Sequence, residues 1–242
     1  QIEEKTWADT NETYAAALSS NDSPDVVEVG NTQALGFINQ GLFLDITDIK
    51  ADLGGPDLLP GLVDSGTFDG QLYAAPYYAG GRIVFYTPQI VTGELPATLD
   101  DYVADGVAMK TATVSGIYAP GKDWYNALPY IWAHGGELAV KDGDKWDAQF
   151  SSDKSVEGLK QLQEVYLKAT NAPADGDEAN LQVPFCAGEV GFLSAPGWVK
   201  WSILTPADDA KAPGCPDTFG KDLAAFPLPG LKAGETAPIF AG

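Results

Sequence analysis

Apolar segments of two periods alternate along this chain, punctuated by 27 glycines and 17 prolines. That alternation constrains the fold more than any other feature. Asp25-Val26-Val27-Glu28-Val29 is β-branched and follows the turn signal Ser23-Pro24, which predicts a strand. Residues 32–40 carry Leu35, Phe37 and Ile38 at helical spacing, with Gly41 at the C-cap. Residues 70–76 and 82–86 read as two further strands. Thr98 and Asp101 form a capping box that opens a helix through Met109. A helix is expected from Trp124 to His134, stopped by Gly135-Gly136, and a hairpin turn over residues 141–145. From Asp153 to Lys168, Val156, Leu159, Leu162 and Tyr166 recur on one helical face. A strand over Val190 to Ser194, a helix over Trp198 to Leu204 and a strand over Leu223 to Phe226 complete the series. Helices and strands in alternation imply an α/β fold, without internal repeats.

Charge narrows the function. Fourteen basic and 34 acidic residues leave a net charge of −20, with no basic cluster to offset it locally. Such a surface repels phosphate backbones and anionic headgroups, so nucleic acid is excluded as a partner. At 242 residues the chain is long enough for two lobes. No apolar run approaches the ~18 residues of a membrane span, and Gln1-Ile2-Glu3-Glu4-Lys5 has no targeting character. The two cysteines, Cys186 and Cys215, fit buried thiols as well as one disulfide.

Catalytic patterns fail one at a time. One histidine, His134, excludes a multi-histidine zinc site, and no GxSxG elbow exists to use it. At a helix end it reads as structural. Gly116-Ile117-Tyr118-Ala119-Pro120-Gly121-Lys122 matches GxxxxGK, but Asp123 stands where a P-loop needs Ser or Thr. It reads as a strand-to-helix loop. Asp142-Gly143-Asp144 opens like a calcium loop, yet Trp146 replaces the third oxygen ligand. No catalytic, metal or cofactor site is therefore assigned.

Aromatic residues are distributed unevenly instead. Five of six tryptophans (Trp124, Trp132, Trp146, Trp198, Trp201) fall in the second half. An indole face packs on the C–H face of a pyranose, and nearby Asp, Asn or Gln bond adjacent hydroxyls. Trp124 and Trp198, at loop-to-helix junctions, read as ligand-facing. Trp132 and Trp201, inside helices, read as core.

Several stretches carry a resemblance. Ser20-Asn21-Asp22-Ser23-Pro24-Asp25-Val26-Val27, residues 39–47, and Asp69-Gly70-Gln71-Leu72-Tyr73-Ala74-Ala75-Pro76-Tyr77-Tyr78 resemble, in order, segments of the maltose-binding-protein-like carbohydrate-binding proteins of ABC importers. Pro129-Tyr130-Ile131-Trp132-Ala133-His134-Gly135-Gly136-Glu137-Leu138 is similar to another. So is the pairing of Phe185 to Phe192 with Pro196-Gly197-Trp198. The resemblance covers nearly the whole chain. It implies that an initial strand and helix and the C-terminal helices of a longer protein are absent.

The implied fold has two α/β lobes joined by a hinge, of periplasmic-binding-protein type, with ligand in the interlobe cleft. Residues 1–86 would belong to the first lobe, 87–91 to the first crossover, 92–237 to the second lobe and 238–242 to a returning strand. The implied ligand contacts are Asn31, Thr32 and Gln33 after the first predicted strand, then Asp123, Trp124 and Tyr125, and the stacking Trp198. Tyr78 and Arg82 are further candidates, against readings as an edge tyrosine and a surface arginine. The implied function is that of a monomer, not an enzyme, that captures a carbohydrate, expected to be an oligosaccharide. It would pass it to ABC permease subunits, either lipid-anchored at the outer face of the membrane or in the periplasm. Export would join Cys186 to Cys215. A polyamine, peptide or metal-complex binder and a glycoside hydrolase are the rival readings.

Overall fold

The computed structural model describes residues 10–143 and 145–242. They form two compact units, residues 10–79 with Gly242, and the described part of residues 80–241.

In the first unit, α1 (Thr10–Leu18) and α2 (Asn31–Asn39) precede α3 (Pro60–Ser65), with 3-10 turns at Thr47–Ile49 and Gly55–Asp57. Ala34, Phe37 and Ile38 of α2 are buried, and Phe37 meets the rings of Tyr14 and Phe43. Gly41 takes φ 69°, ending α2 as expected. A small hairpin follows, β1 (Thr67–Phe68) and β2 (Gln71–Leu72). Asp69 and Gly70, at φ 48° and 81°, make its turn, because a two-residue hairpin loop needs positive φ at both positions. The strand expected over 70–76 is thus only two residues long, its first residue being the turn glycine. The strand expected over Asp25–Val29 does not form: no described segment forms a ladder with it, and Val26 is exposed.

The second unit is built on a four-stranded sheet. Its elements in chain order are β3 (Arg82–Tyr86), α4 (Leu99–Met109), β4 (Ser115–Ile117) and α5 (Leu128–Ala133). The hairpin β5 (Ala139–Asp142) and β6 (Lys145–Ala148) and α6 (Asp153–Glu164) come next. Then follow α7 (Gln182–Cys186), β7 (Val190–Pro196), α8 (Val199–Leu204) and β8 (Ala224–Phe226). Sheet order is β4-β7-β3-β8, with β4 and β7 parallel and β3 antiparallel to both its neighbours. Side-chain alternation sends Val84 and Phe192 to one face and Phe85, Leu193 and Ala195 to the other. Helices α4, α5 and α6 cover the first face and α7 and α8 the second.

Because β3 pairs with β7 and β8, the chain divides between Ala79 and Gly80, ahead of the limit expected at Tyr86. Residues 87–91, expected as a crossover, lie inside the second unit. Thr98 caps α4 as expected: its Oγ1 accepts from Asp101 N–H at 3.1 Å while its own N–H donates to Asp101 at 3.0 Å. The helix expected from Trp124 to His134 is instead a 3-10 turn, Trp124–Asn126, followed by α5. The Asp123 carboxylate takes the Asn126 N–H, and Pro129 has no N–H to carry a longer helix across the junction. Past Glu164, α6 widens into a π turn over Val165–Ala169. The 141–145 turn forms between β5 and β6, though Asp144 lies outside the described residues.

Two tryptophans depart from the sequence reading. Trp201 is 68% exposed and fills no core. Trp132 is half-buried and outside both buried clusters, because α5 turns Leu128 and Ile131 inward and Trp132 sits about 100° round from Ile131. Cys186 and Cys215 are joined in a disulfide that ties the end of α7 to the segment after α8.

Candidate functional site

Strands β4 and β7 are parallel neighbours, β4 ending at Ile117 beside Phe192 and β7 continuing to Pro196, and the segment after each leads to a tryptophan. Strand β4 runs through residues 118–123 to Trp124, and β7 runs through Gly197 to Trp198. In parallel α/β sheets the carboxyl ends of the strands are where ligands bind, since that edge is left open by the outgoing loops. Trp124 is 47% and Trp198 51% exposed.

The loop after β4 is not a phosphate cradle. Gly121 N–H donates to Pro173 O at 3.1 Å and Lys122 N–H to Gly176 O at 2.8 Å, so its amides are consumed by a neighbouring backbone. The loop instead delivers Trp124 and Tyr125, whose ring centroids lie 4.0 Å apart. Phe240 packs at 4.8 Å from Tyr125 and 5.9 Å from Trp124. Three rings thus form one aromatic face.

Beneath it lies a polar cluster. Arg82, at the start of β3 and cross-strand from Pro196, is 7% exposed, and Asp123 is 2% exposed. Arg82 Nη1 donates to Asn126 Oδ1 at 3.3 Å, Nη2 donates to Glu178, and Nη2 lies 3.8 Å from Asp123 Oδ1. The guanidinium carbon stands 5.2 Å from the Tyr125 ring centroid, a cation–π distance. Asn126 Nδ2 donates to Asp123 Oδ2 at 2.6 Å and to Ser194 O at 2.7 Å, and Ser194 Oγ donates to Asn126 Oδ1 at 2.7 Å. Burial raises the Asp123 carboxyl to about 6; Arg82 opposes that rise, Glu178 adds to it, and hydrogen bonds from Asn126 lower it.

The expected site residues therefore divide. Arg82, Asp123, Trp124 and Tyr125 come together, and Trp198 follows the strand that borders Arg82. Arg82 is not a surface arginine, because two carboxylates and an aromatic ring compensate its burial. Asp123 is likewise occupied within the cluster. In the first unit, Asn31, Thr32 and Gln33 form the first turn of α2. Gln33 Oε1 accepts from Gly30 N–H at 3.0 Å and its Nε2 donates to Asn11 at 3.1 Å. Tyr78 is exposed and its hydroxyl donates to Glu28 at 2.9 Å, which raises its pKa. Sequence reasoning missed Asn126, Glu178, Ser194 and Phe240. His134, the α5 C-cap, donates from Nε2 to Gln161 Oε1 at 3.0 Å, the Gln161 amide nitrogen being bound to Asp100. No cluster of His, Cys, Asp or Glu among the described residues is able to hold a metal ion.

Residues 1–241 match the family model of the bacterial extracellular solute-binding proteins. The chain belongs to this family. It is 32% identical over 249 aligned residues to the diacetylchitobiose binding protein DasA of Streptomyces coelicolor, which covers 100% of the chain and 56% of that relative. The chain thus spans little more than half of the curated relative's length. Among solved structures, the GacH receptor of Streptomyces glaucescens, studied unliganded and with acarbose, has a TM-score of 0.76 at 22% identity. It covers 98% of this chain and 59% of its own. A cyclo/maltodextrin-binding protein complexed with maltotetraose gives 0.71 at 18% identity, over 96% of this chain and 57% of its own. These solute-binding proteins share the two-lobe α/β fold.

Proposed function

We propose that this chain is part of a receptor that binds an oligosaccharide outside the cytoplasm and delivers it to the permease of an ABC importer. The observation that carries the reading is the placement of Trp124 and Trp198, half-exposed, on the segments that follow the carboxyl ends of two adjacent parallel strands. Aromatic faces suit the C–H faces of sugar rings, and the Tyr125 and Phe240 rings enlarge the Trp124 face. A relative named for diacetylchitobiose, and structural neighbours solved with acarbose and with maltotetraose, support the same ligand class. The protein acts by binding and release, not by catalysis, and as a monomer. The Cys186–Cys215 disulfide supports an oxidising compartment, either the periplasm or the outer face of the membrane with a lipid anchor. Asn31, Thr32, Gln33 and Tyr78 of the first unit are proposed to supply polar contacts to sugar hydroxyls.

A thermal-shift screen of the full-length protein tests this, because a ligand bound only by the native state raises the melting temperature. The panel is diacetylchitobiose, maltotetraose, acarbose and spermidine. A saturable shift with one of the three sugars is expected. A shift with spermidine alone would replace the reading by a polyamine receptor.

A further inference from the structure

Arg82 reads from sequence as either a ligand contact or a surface residue, and in the fold its side chain is buried. Its guanidinium is buried, with donors already directed at Asn126 and Glu178 and its plane beside the Tyr125 ring. Arg82 and its partners come from three places in the chain. Asp123 caps and Asn126 ends the 3-10 turn that carries Trp124 and Tyr125, Glu178 lies on the loop before α7, and Arg82 itself opens β3. Resting on the sugar-binding reading above, we propose that Arg82 is a positioning residue. Through Asp123, Asn126 and Glu178 it sets the orientation in which the Trp124–Tyr125 face is offered to the sugar, without touching the sugar itself.

The physical basis is planarity. A guanidinium presents several donors in one fixed plane, so it fixes two acceptors and an aromatic face together, which an ammonium group cannot do. Asn126 ties the same turn to β7 through Ser194, so a shift of Arg82 moves the turn relative to the strand that leads to Trp198. The groups facing Asp123 are Arg82 from β3, Glu178 from the loop, Asn126 from its own turn, and Tyr166 from the π turn, whose phenol feels the Asp123 charge. Asp123 is therefore the titrating member through which the arrangement is tested.

The two consequences of protonating Asp123 have opposite signs. Its folded pKa, about 6, exceeds the ordinary value of 3.8. Between those values the folded state holds more protons than the unfolded one, so this group adds stability as pH falls from 7 to 5. Over the same range the neutral carboxyl loses its attraction for Arg82 and the turn loses its anchor, so sugar affinity falls. A cluster that only held the fold together would not separate the two.

The experiment compares wild type with Arg82→Lys, Asp123→Asn and Glu178→Gln by calorimetric titration with diacetylchitobiose from pH 5 to pH 7.5, alongside melting curves. A ligand-free reading comes from near-ultraviolet circular dichroism, taken as the difference between each protein and its Trp124→Phe derivative. Expected at neutral pH are cooperative melting of all variants and affinity about tenfold weaker in Arg82→Lys through lost preorganisation. Wild-type affinity falls with pH while melting temperature gains from Asp123, and Asp123→Asn flattens both. The dichroism difference follows the same midpoint. Should Arg82→Lys prove unable to fold, Glu178→Gln, which removes a partly exposed negative charge facing Arg82, carries the comparison. Affinities within twofold of wild type at every pH, or a dichroism difference indifferent to pH and to all three substitutions, overturn the proposal. If none of the sugars binds and the dichroism still follows Asp123, the sugar-binding reading fails while the positioning of the aromatic face is supported.

Discussion

Trp198 and Trp201 lie three residues apart at the start of α8, yet their surroundings give them different consequences. Both are more than half exposed, so neither holds up the core, and the cost of replacing each is read in binding, not folding. Trp198 follows Pro196 and Gly197, where Gly197 N–H donates to Gly81 O at 3.0 Å and fixes the turn beside Arg82. Trp198→Ala is expected to weaken oligosaccharide binding by about 2–4 kcal/mol, as for a stacking anchor. Its melting temperature should stay near wild type. Trp201→Ala, whose ring lies near Lys200 Nζ at 5.1 Å, should shift stability by no more than about 0.5 kcal/mol. Calorimetric titration and thermal melting of both variants check this; normal binding by Trp198→Ala removes it from the site. At this scale the half-exposed positions of Trp124 and Trp198 were legible, because a tryptophan at a loop-to-helix junction is visible in one dimension. The sequence did not disclose Glu178 or Phe240. Each reaches the cluster from a distant part of the chain, and nothing in the local spacing of an acidic loop or a terminal apolar segment marks the arrival.

Elements were legible where local chemistry decides them and illegible where partners do. The start of α4 follows from the Thr98–Asp101 box, and β3 from four consecutive β-formers, Ile83 to Tyr86. Asp25–Val29 has strand composition but no described ladder partner, and strand formation is a property of pairs. Helix α5 shows a related limit: Pro129 and the Asp123 cap shorten it, and its packing on α6 depends on a glycine. A Cβ at Gly158 would lie 2.4 Å from Tyr130 O and 2.7 Å from Ile131 Cα, both backbone atoms that have no rotamer to relieve the clash. Gly158→Ala is therefore expected to cost about 1–3 kcal/mol through forced separation of α5 and α6, despite the better helix propensity of alanine. Urea unfolding measures it, and an unchanged midpoint would show that the two helices adjust freely. The Cys186–Cys215 bond acts on another pair, α7 and the segment after α8, where Cys215 N–H also donates to Ile203 O at 2.8 Å. Closing a loop with a sequence separation of 29 should contribute about 3–4 kcal/mol in the chain-entropy account. The paired Cys186→Ala, Cys215→Ala variant should lose about that much, and thiol titration of unreduced, denatured wild type should find no free thiol.

At the scale of the whole molecule, the net charge of −20 acts on folding and on ligand choice in separable ways. Crowding 34 carboxylates against 14 basic side chains onto a compact surface raises repulsion relative to the expanded chain. Screening that repulsion should raise the melting temperature as ionic strength rises from about 0.02 to 0.15 M, with little further gain once the screening length falls below about 8 Å. Binding should respond differently. A neutral oligosaccharide held by ring stacking and hydrogen bonds brings no charge to be screened, so its affinity should be constant across that range after allowance for the small stability change. A polycation drawn to the same acidic surface would bind more weakly at each step, since its attraction is the term that salt removes. The measurement is a titration of diacetylchitobiose and of spermidine at three salt concentrations, with melting curves taken on the same samples. Constant sugar affinity with rising melting temperature is the expected result. Sugar affinity that fell steeply with salt would mean that charge, and not the aromatic face at Trp124, Tyr125 and Phe240, governs recognition.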